Sequence, residues 1–271
     1  MKEDYLYSLK DLPYEINVSG DIIGGNNKVI IAGPCTFGSY SELYKIAKEL
    51  KKIGVKFLRG GAFKARTCPY SFDGLKEEGM EILLKIKEEL DIKIVTELLT
   101  IEQVRKYGNR VDIIQIGSRS MYNYELLKEV GKLNTPVILK RCFCASYREW
   151  LLAAEYILKE GNKNIILCER GIRNNISSET RNVLDIQAIP YMKKHTNLPI
   201  IVDPSHASGK SYMVEAMSKA SLVAGADGLI IEVHTNPEES LCDSEQTIDI
   251  NQLKKIIKFN EVLESIEEKN E

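Results

Sequence analysis

Short apolar runs rich in β-branched residues alternate with longer amphipathic stretches along most of this chain. The amphipathic stretches, among them 41–54, 146–161 and 211–225, have helical spacing, and several end at a glycine, as helices often do. A last helical stretch runs from about 251 to 264. The apolar runs have the length and composition of buried strands. There are eight, at 28–33, 55–59, 92–97, 111–117, 136–141, 164–170, 199–206 and 227–234.

This alternation predicts a parallel sheet, because each helical crossover must cover a strand that is buried on both faces. Eight strand–helix units in 271 residues match a closed (β/α)8 TIM barrel, which typically has about 250 residues. An open doubly wound sheet is the alternative, and the lack of a Gly-x-Gly-x-x-Gly turn before residue 117 disfavours it. We expect residues 1–27 to form an N-terminal extension with a small β-hairpin at 15–25. Residues 28–271 should form the catalytic barrel, with no separate regulatory domain.

The charge balance disfavours nucleic-acid and membrane partners. The chain has 37 Lys and Arg against 39 Asp and Glu, and its formal net charge of −2 provides no global field for an anionic polymer or surface. No apolar run approaches the about 20 residues that a membrane-spanning helix requires. The six cysteines form no CxxC pair, and no secretory leader is recognisable. We therefore expect reduced thiols in a cytoplasmic protein.

The residues that follow the strands carry the candidate chemistry, since barrel active sites lie at the C-terminal ends of the strands. Each of the eight runs is followed by a polar or titratable group. Arginine forks suit phosphate oxygens, so a group of cations at this rim predicts a site for more than one phosphate. Such cations arrive from four strands: Arg59, Lys64, Arg66, Arg119, Lys140 and Arg170.

A second group of residues at the same rim has the chemistry of a metal site. Cys35, His206, Glu232 and Asp243 combine a thiol, an imidazole and two carboxylates. Such a set can hold a divalent transition metal and leave a coordination position open. The first, seventh and eighth strands adjoin in a closed barrel and bring three of the four residues together. The alternative interpretation is that Cys35 is a small buried residue and His206 a helix-capping donor.

Seven motifs carry a family resemblance: IAGPC (31–35), RGGAFKARTCPYSFDG (59–74), QIGSR (115–119), ILKR (138–141), ILCERGIR (166–173), VDPSHASG (202–209) and IEVHTNPEESLCD (231–243). In order and spacing they resemble the 3-deoxy-D-arabino-heptulosonate 7-phosphate synthases, which begin the shikimate pathway to aromatic amino acids. The resemblance implies a transferase that condenses phosphoenolpyruvate with erythrose 4-phosphate and releases phosphate. It also implies a divalent metal, either Mn, Fe, Co or Zn. We expect a homo-oligomer, a dimer or tetramer, with a separate regulatory protein as a further candidate partner.

The resemblance also implies a role for each site residue. The metal ligands would be Cys35, His206, Glu232 and Asp243. The contacts to phosphoenolpyruvate would be Arg59, Lys64, Arg119, Lys140 and Arg170, and those to the aldose phosphate Arg66 and Thr67. Lys64, with arginines around it, is expected to have a lowered pKa and to act as the catalytic proton donor, with a metal-bound water or His206 as the other candidate. Glu97 is expected to orient a group or to hold water as a base.

Two positions depart from the family pattern. Proline usually stands where this chain has Ala65, and glycine usually stands where it has Cys142. If that glycine is needed for its backbone freedom, the loop after the fifth barrel strand would follow another path. Neither departure removes a group that the chemistry requires.

Two other functions compete with this interpretation. The related 3-deoxy-D-manno-octulosonate 8-phosphate synthases use arabinose 5-phosphate. Their pattern reads KANRS where this chain reads KARTC at 64–68. A non-catalytic phosphosugar-binding barrel would be expected to have lost a metal ligand or a cation, and none is missing from the motifs.

The first prediction concerns regulation. Feedback-controlled members of the family carry a ferredoxin-like or chorismate mutase domain, and an extension of the length of 1–27 cannot form an independent core. We therefore expect the isolated chain to be insensitive to phenylalanine, tyrosine and tryptophan. The measurement is the initial rate with and without each amino acid at millimolar concentration. Substantial inhibition by any of them would contradict the prediction.

Overall fold

The computed structural model describes residues 15–25, 27–174 and 179–269 and shows eight parallel strands closed into a barrel. The first two strands lie outside it: β1 (Glu15–Val18) and β2 (Asp21–Gly24). The barrel strands are β3 (Val29–Gly33), β4 (Phe57–Arg59), β5 (Lys93–Glu97), β6 (Ile113–Ile116), β7 (Val137–Lys140), β8 (Ile165–Glu169), β9 (Ile200–Val202) and β10 (Gly228–Glu232). Strand β10 pairs with both β3 and β9, which closes the sheet. The (β/α)8 prediction is confirmed, and each of the eight apolar runs contains one barrel strand.

Helices connect the strands and cover the outside of the barrel. They are α1 (Tyr40–Lys52), α2 (Lys76–Leu90), α3 (Ile101–Tyr107), α4 (Tyr124–Gly131), α5 (Tyr147–Lys159), α6 (Ala188–His195), α7 (Pro204–Ser208), α8 (Ser211–Val223) and α9 (Ile250–Glu267). Among the described helices, none has the length and apolar composition needed to cross a membrane.

The strands have apolar residues at nearly every position because their two faces pack against different cores. In β8, for example, Ile166 and Cys168 belong to the cluster inside the barrel, whereas Ile165 and Leu167 belong to the cluster between barrel and helices. Successive side chains of a strand point to opposite faces, so both faces of a doubly covered strand must be apolar.

The predicted hairpin is confirmed, and it packs on the N-terminal end of the barrel. Its turn residues Ser19 and Gly20 both have positive φ, 51° and 92°, as a type I′ hairpin turn requires. Ile16, Val18 and Ile23 join the apolar cluster inside the barrel. The hairpin therefore closes the end opposite to the strand ends that carry the candidate chemistry.

The seventh apolar run, 199–206, contains more than a strand. Strand β9 ends at Val202, and residues 204–208 turn directly into α7. The Asp203 carboxylate accepts a hydrogen bond from the His206 backbone N–H at 2.9 Å, and Pro204 occupies the first turn, where a missing N–H is tolerated. This short helix is the element that presents His206 to the barrel axis.

We predict that Ile23→Ala destabilises the fold without affecting the candidate site. The Ile23 side chain is fully buried under the barrel, so the free energy of unfolding should fall by about 2–5 kcal/mol, the usual loss for a buried isoleucine. Ile22→Ala is the matched control, because Ile22 is only half-buried and should lose less. Denaturant unfolding gives both values. Equal losses in the two variants, or a changed catalytic rate well below the unfolding transition, would contradict the assigned packing.

Candidate active site

A cavity of about 400 Å³ opens at the C-terminal end of the barrel. Glu232, at the end of β10, is fully buried directly behind its wall. The other residues that the sequence predicted for the site all line the cavity: Cys35, Arg59, Lys64, Arg66, Thr67, Glu97, Arg119, Lys140, Arg170, His206 and Asp243. The tertiary structure therefore brings the whole predicted set to one place.

The four predicted metal ligands converge on one point. One donor atom from each of Cys35, His206, Glu232 and Asp243 lies within 4.8 Å of the other three. The Cys35 Sγ is 3.1 Å from Asp243 Oδ2 and 4.0 Å from His206 Nε2, and that nitrogen is 3.2 Å from Glu232 Oε1. Metal–ligand bonds of about 2.0–2.3 Å place tetrahedral ligands about 3–4 Å apart. The spacing thus fits one divalent ion.

The protonation states of the two carboxyls and the imidazole also fit a cation. Burial alone would raise the pKa of Glu232 and of Asp243, but nearby cations outweigh it and lower the pKa of both carboxyls. The groups that lower the pKa are first His206 and then Arg59 at Glu232, and first Lys64 and then His206 at Asp243. Burial lowers the pKa of His206 itself. Ionised carboxylates and a neutral imidazole are the forms that ligate metals.

A third carboxylate, that of Asp203, lies against the other nitrogen of the imidazole. Asp203 Oδ2 lies 2.8 Å from His206 Nδ1 and 2.5 Å from the Nζ of Lys140 at the end of β7. His206 and Lys140 lower the pKa of the buried Asp203 carboxyl well below its usual range, against the opposing effect of burial. A carboxylate on Nδ1 fixes the ring so that Nε2 faces the other three ligands, the usual arrangement behind a metal-bound histidine.

Lys64 lies beside the predicted metal ligands rather than among arginines. Its Nζ contacts Cys35 Sγ and lies 3.2 Å from Cys242 Sγ and 3.6 Å from Asp243 Oδ2. Burial would lower the pKa of Lys64, but the two thiols and Glu232 outweigh it, so the pKa is raised. The expected lowered pKa is therefore wrong, because the nearest groups are anionic or ionisable to anions. The hydrogen bond with Cys35, followed by Lys64, lowers the pKa of Cys242 to about 7.

Backbone proximity brings Cys35 and Lys64 together. A side chain at Gly61 would place its Cβ 2.5 Å from the Cys35 carbonyl oxygen, so only glycine permits the loops after β3 and β4 to touch. The Thr36 hydroxyl donates to the Gly61 carbonyl at 2.7 Å and holds the same contact.

The predicted phosphate-binding cations fall into two classes. Arg59 and Lys140 are only 5% and 4% exposed, and each pairs with a buried carboxylate, Glu232 at 3.0 Å and Asp203 at 2.5 Å. Arg119 is more exposed, and its guanidinium donates to the Thr67 hydroxyl at 3.0 Å and to the Ala65 carbonyl at 3.3 Å. These bonds join the segment after β6 to the loop after β4 at the edge of the cavity.

Arg170 and Arg66 complete the cationic wall from two other positions. Arg170 follows β8 and is buried, and its pKa is lowered first by burial and also by the neighbouring Arg181. Arg66 is half-buried in the loop after β4. Cations that are held close to one another in a concave wall favour an anionic ligand between them.

Glu97 ends β5 and lies on the cavity wall, as predicted. Its carboxylate accepts a hydrogen bond from the Gln115 side chain at 3.4 Å. A Cβ at Gly117 would lie 1.9 Å from Glu97 Oε1, so glycine at this position makes room for the carboxylate. The sequence does not show this dependence, since residue 117 belongs to a different strand end.

Two residues that line the cavity, Arg181 and Phe143, were not predicted from the sequence. Arg173, which follows β8, also lines the cavity, and its guanidinium lies 4.4 Å from the centre of the Phe143 ring. Arg181 follows a segment without apolar periodicity, so its direction could not be inferred; the cluster of arginines between 170 and 181 was the available signal. His234, by contrast, turns away from the cavity, because its Nε2 lies 3.3 Å from Glu42 of α1.

The departure at Cys142 leaves the loop after β7 in a common backbone conformation. The described non-glycine residues with positive φ are Ser19, Lys76, Asp91 and Asp243. Cys142 is not among them, so glycine's freedom is not used here. Its Sγ lies 3.5 Å from that of Cys144, and its backbone N–H points at the Met121 sulfur at 3.1 Å.

Comparisons with known proteins agree on the family. The sequence profile of the DAHP synthetase I family matches residues 12–268. A phospho-2-dehydro-3-deoxyheptonate aldolase from Thermotoga maritima is 46% identical over 239 residues, which cover 88% of this chain and 70% of that protein. A 2-dehydro-3-deoxyphosphooctonate aldolase from Geobacter sulfurreducens is 30% identical over 274 residues, covering 93% and 98%.

Solved structures agree with the sequence comparisons. The crystal structure of the Thermotoga maritima DAHP synthase superimposes with a TM-score of 0.90 at 41% identity, covering 96% of this chain and 78% of that one. A truncated form of the same organism's 3-deoxy-D-arabino-heptulosonate 7-phosphate synthase gives a TM-score of 0.86 at 42% identity and covers 93% and 92%. The profile match, the identity and the shared barrel show that this chain belongs to the DAHP synthetase I family.

Proposed function

We propose that this chain condenses phosphoenolpyruvate with erythrose 4-phosphate and water to give 3-deoxy-D-arabino-heptulosonate 7-phosphate and inorganic phosphate. The observation that carries the proposal is the convergence of four metal-ligating atoms within 4.8 Å at the wall of a cation-lined cavity. A phosphosugar sensor needs the cations alone. In a site for bond formation between two phosphorylated substrates, cations would hold the phosphates and a metal would polarise the aldehyde.

Cys35, His206, Glu232 and Asp243 would hold the divalent ion, which when bound polarises the aldehyde oxygen as a Lewis acid. A set with one thiolate, one imidazole and two carboxylates suits Mn, Fe, Co or Zn. Asp203 on Nδ1 of His206 keeps the imidazole in the orientation that such an ion requires.

The cations would hold the two anionic substrates close together. Each phosphate carries nearly two negative charges at neutral pH, so repulsion opposes their approach unless positive groups offset it. We assign phosphoenolpyruvate to Arg59, Lys64, Arg119, Lys140 and Arg170, and the aldose phosphate to Arg66 and Thr67. The Arg119 bond to the Thr67 hydroxyl joins the two groups of residues, which supports adjacent subsites.

The reaction needs a proton at one oxygen and a water at one carbon. C3 of phosphoenolpyruvate forms the new bond to the aldehyde carbon, and the aldehyde oxygen takes a proton. We assign this proton to Lys64, which enters the reaction protonated because its neighbours raise its pKa. Water then adds at C2, and loss of inorganic phosphate leaves a ketone. Glu97, on the cavity wall, is assigned as the base that orients this water.

The choice of acceptor rests on the loop after β4. This loop reads KARTC at 64–68, where the pattern of the octulosonate enzymes reads KANRS. The higher identity to the heptonate aldolase, 46% against 30% for the octonate aldolase, supports the shorter aldose. Self-association, a cytoplasmic location and a separate regulatory protein stay predictions.

We predict that the specificity constant kcat/KM is higher for erythrose 4-phosphate than for arabinose 5-phosphate. The assay measures phosphate released from phosphoenolpyruvate with each aldose phosphate as acceptor. Release without any acceptor is the control for simple hydrolysis. A higher kcat/KM with arabinose 5-phosphate would reverse the assignment.

We also predict that activity is lost on chelation and recovered with a divalent ion, and that Cys35→Ala lowers metal affinity. Losing one of four ligands should weaken binding at least as much as losing a residue behind the ligands, roughly 10- to 100-fold. Cys144→Ser is the control, because that thiol is exposed and lies outside the cluster. Full activity of the chelated parent, or parental metal affinity in Cys35→Ala, would show that these residues do not form the metal site.

A further inference from the structure

Gln246 lies behind the metal ligands and contacts the carboxylate of one of them. It ends the short 3₁₀ helix Ser244–Gln246, which begins directly after Asp243, and only 2% of it is exposed. Its Nε2 donates to Glu232 Oε2 at 2.6 Å, and its Oε1 accepts from Arg181 Nη1 at 3.0 Å. The two partners fix the orientation of the amide, because a carboxylate only accepts and a guanidinium only donates.

The bond from Gln246 leaves one oxygen of Glu232 for a metal. Oε2 is taken by the Gln246 amide at 2.6 Å. Oε1 faces the site, 3.2 Å from His206 Nε2 and 3.0 Å from Arg59 Nη1. Glu232 is therefore arranged to ligate through Oε1 alone.

Arg181 binds one oxygen of the other carboxylate, Asp243, and leaves the second oxygen for a metal in the same way. The nitrogen that donates to Gln246, Nη1, also lies 3.1 Å from Asp243 Oδ1. The other oxygen, Oδ2, lies 3.1 Å from Cys35 Sγ and 3.6 Å from Lys64 Nζ. Each carboxylate ligand thus has one oxygen held from behind and one directed at the metal position.

The backbone at Asp243 is consistent with this arrangement. Asp243 has a φ of 56°, in the left-handed region that non-glycine residues seldom adopt. Its carbonyl accepts from the Gln246 N–H at 3.2 Å and from the Thr247 hydroxyl at 3.0 Å. The turn places the side chains of Asp243 and Gln246 on the same side of the site, and uncommon backbone conformations of this kind are found at functional positions.

We propose that Gln246 and Arg181 form a positioning pair that holds Glu232 and Asp243 as one-oxygen ligands of the metal. The proposal deepens the proposed function and rests on its metal site. Neither residue is a metal ligand here, and Gln246 does not line the cavity. Its effect should therefore appear in metal affinity rather than in the binding of phosphoenolpyruvate.

The experiment measures the Kd for Co²⁺ and Zn²⁺ by competition with a chromogenic chelator, on the whole chain stripped of metal. Gln246→Leu removes both hydrogen bonds, and Gln246→Glu keeps the acceptor for Arg181 while turning an oxygen toward Glu232. We expect each variant to bind both ions roughly 10- to 100-fold more weakly, the usual effect of losing a group behind a metal ligand. At saturating metal the KM for phosphoenolpyruvate should be unchanged.

The matched control is Gln252→Leu. The Gln252 side chain accepts from the Asp249 N–H at 3.2 Å as part of the capping box of α9. Its hydrogen-bond partner is thus a helix cap and not a predicted metal ligand. This variant should lower the Tm of the metal-free protein and leave both metal affinities at the parental value. If Gln246→Leu behaves like Gln252→Leu, with a lower Tm and parental Kd, the amide is only a packing group and the proposal is overturned.

Arg181→Met provides a test that does not depend on a buried substitution, since the Arg181 side chain is 37% exposed. Arg181→Met should weaken metal binding. The loss of metal-binding free energy in the double variant with Gln246→Leu should be smaller than the sum of the two single losses, because both substitutions remove the same hydrogen bond between Arg181 and Gln246. Unchanged affinity in Arg181→Met would remove Arg181 from the pair.

Failure of the proposed metal site has a different signature from failure of the positioning pair. The absorption band that a thiolate gives with bound Co²⁺ reports Cys35 directly. The band should persist in Gln246→Leu at saturating Co²⁺ and vanish in Cys35→Ala. If Cys35→Ala keeps both the Co²⁺ absorption band and the parental Kd, the metal binds elsewhere and both proposals are overturned.

Discussion

The buried carboxylate of Glu232 is the interaction on which the site depends. It lies at the end of β10 and is fully inaccessible to water, so its charge must be met by the protein. Its Oε1 contacts Arg59 from β4 and His206 from α7. Its Oε2 accepts a hydrogen bond from Gln246, which ends the 3₁₀ helix after Asp243. One charge thus joins four chain segments, and breaking any of these contacts leaves part of a buried ion without a partner.

The same pairing explains why the cavity can hold many cations in a chain with a formal net charge of −2. Arg59 and Lys140 pair with Glu232 and Asp203, which keeps four charges buried near the barrel axis without a large local excess. Arg119 is exposed and Arg66 is half-buried, so water screens these two cations more than it screens Arg59 and Lys140. Substrate phosphates would therefore meet the exposed cations first and the buried ones only after entering.

Much of the site could be predicted from the sequence because a closed barrel converts chain order into position. A residue that follows a strand must lie at one rim, so Cys35, His206 and Glu232 were expected together once eight strands were counted. The environment of each side chain could not be predicted in this way. Lys64 was expected among arginines and instead contacts Cys35 and lies near Asp243, which reverses the direction of its pKa shift.

The sequence by itself determined the barrel, the hairpin and the four residues predicted as metal ligands, because these follow from local periodicity and from residue types at strand ends. Only the tertiary structure decided which oxygen of Glu232 and of Asp243 faces the metal position, through Gln246 and Arg181. Those two residues lie in loops without periodicity. Their role depends on hydrogen-bond directions between segments distant in sequence, and such directions exist only after the barrel has closed.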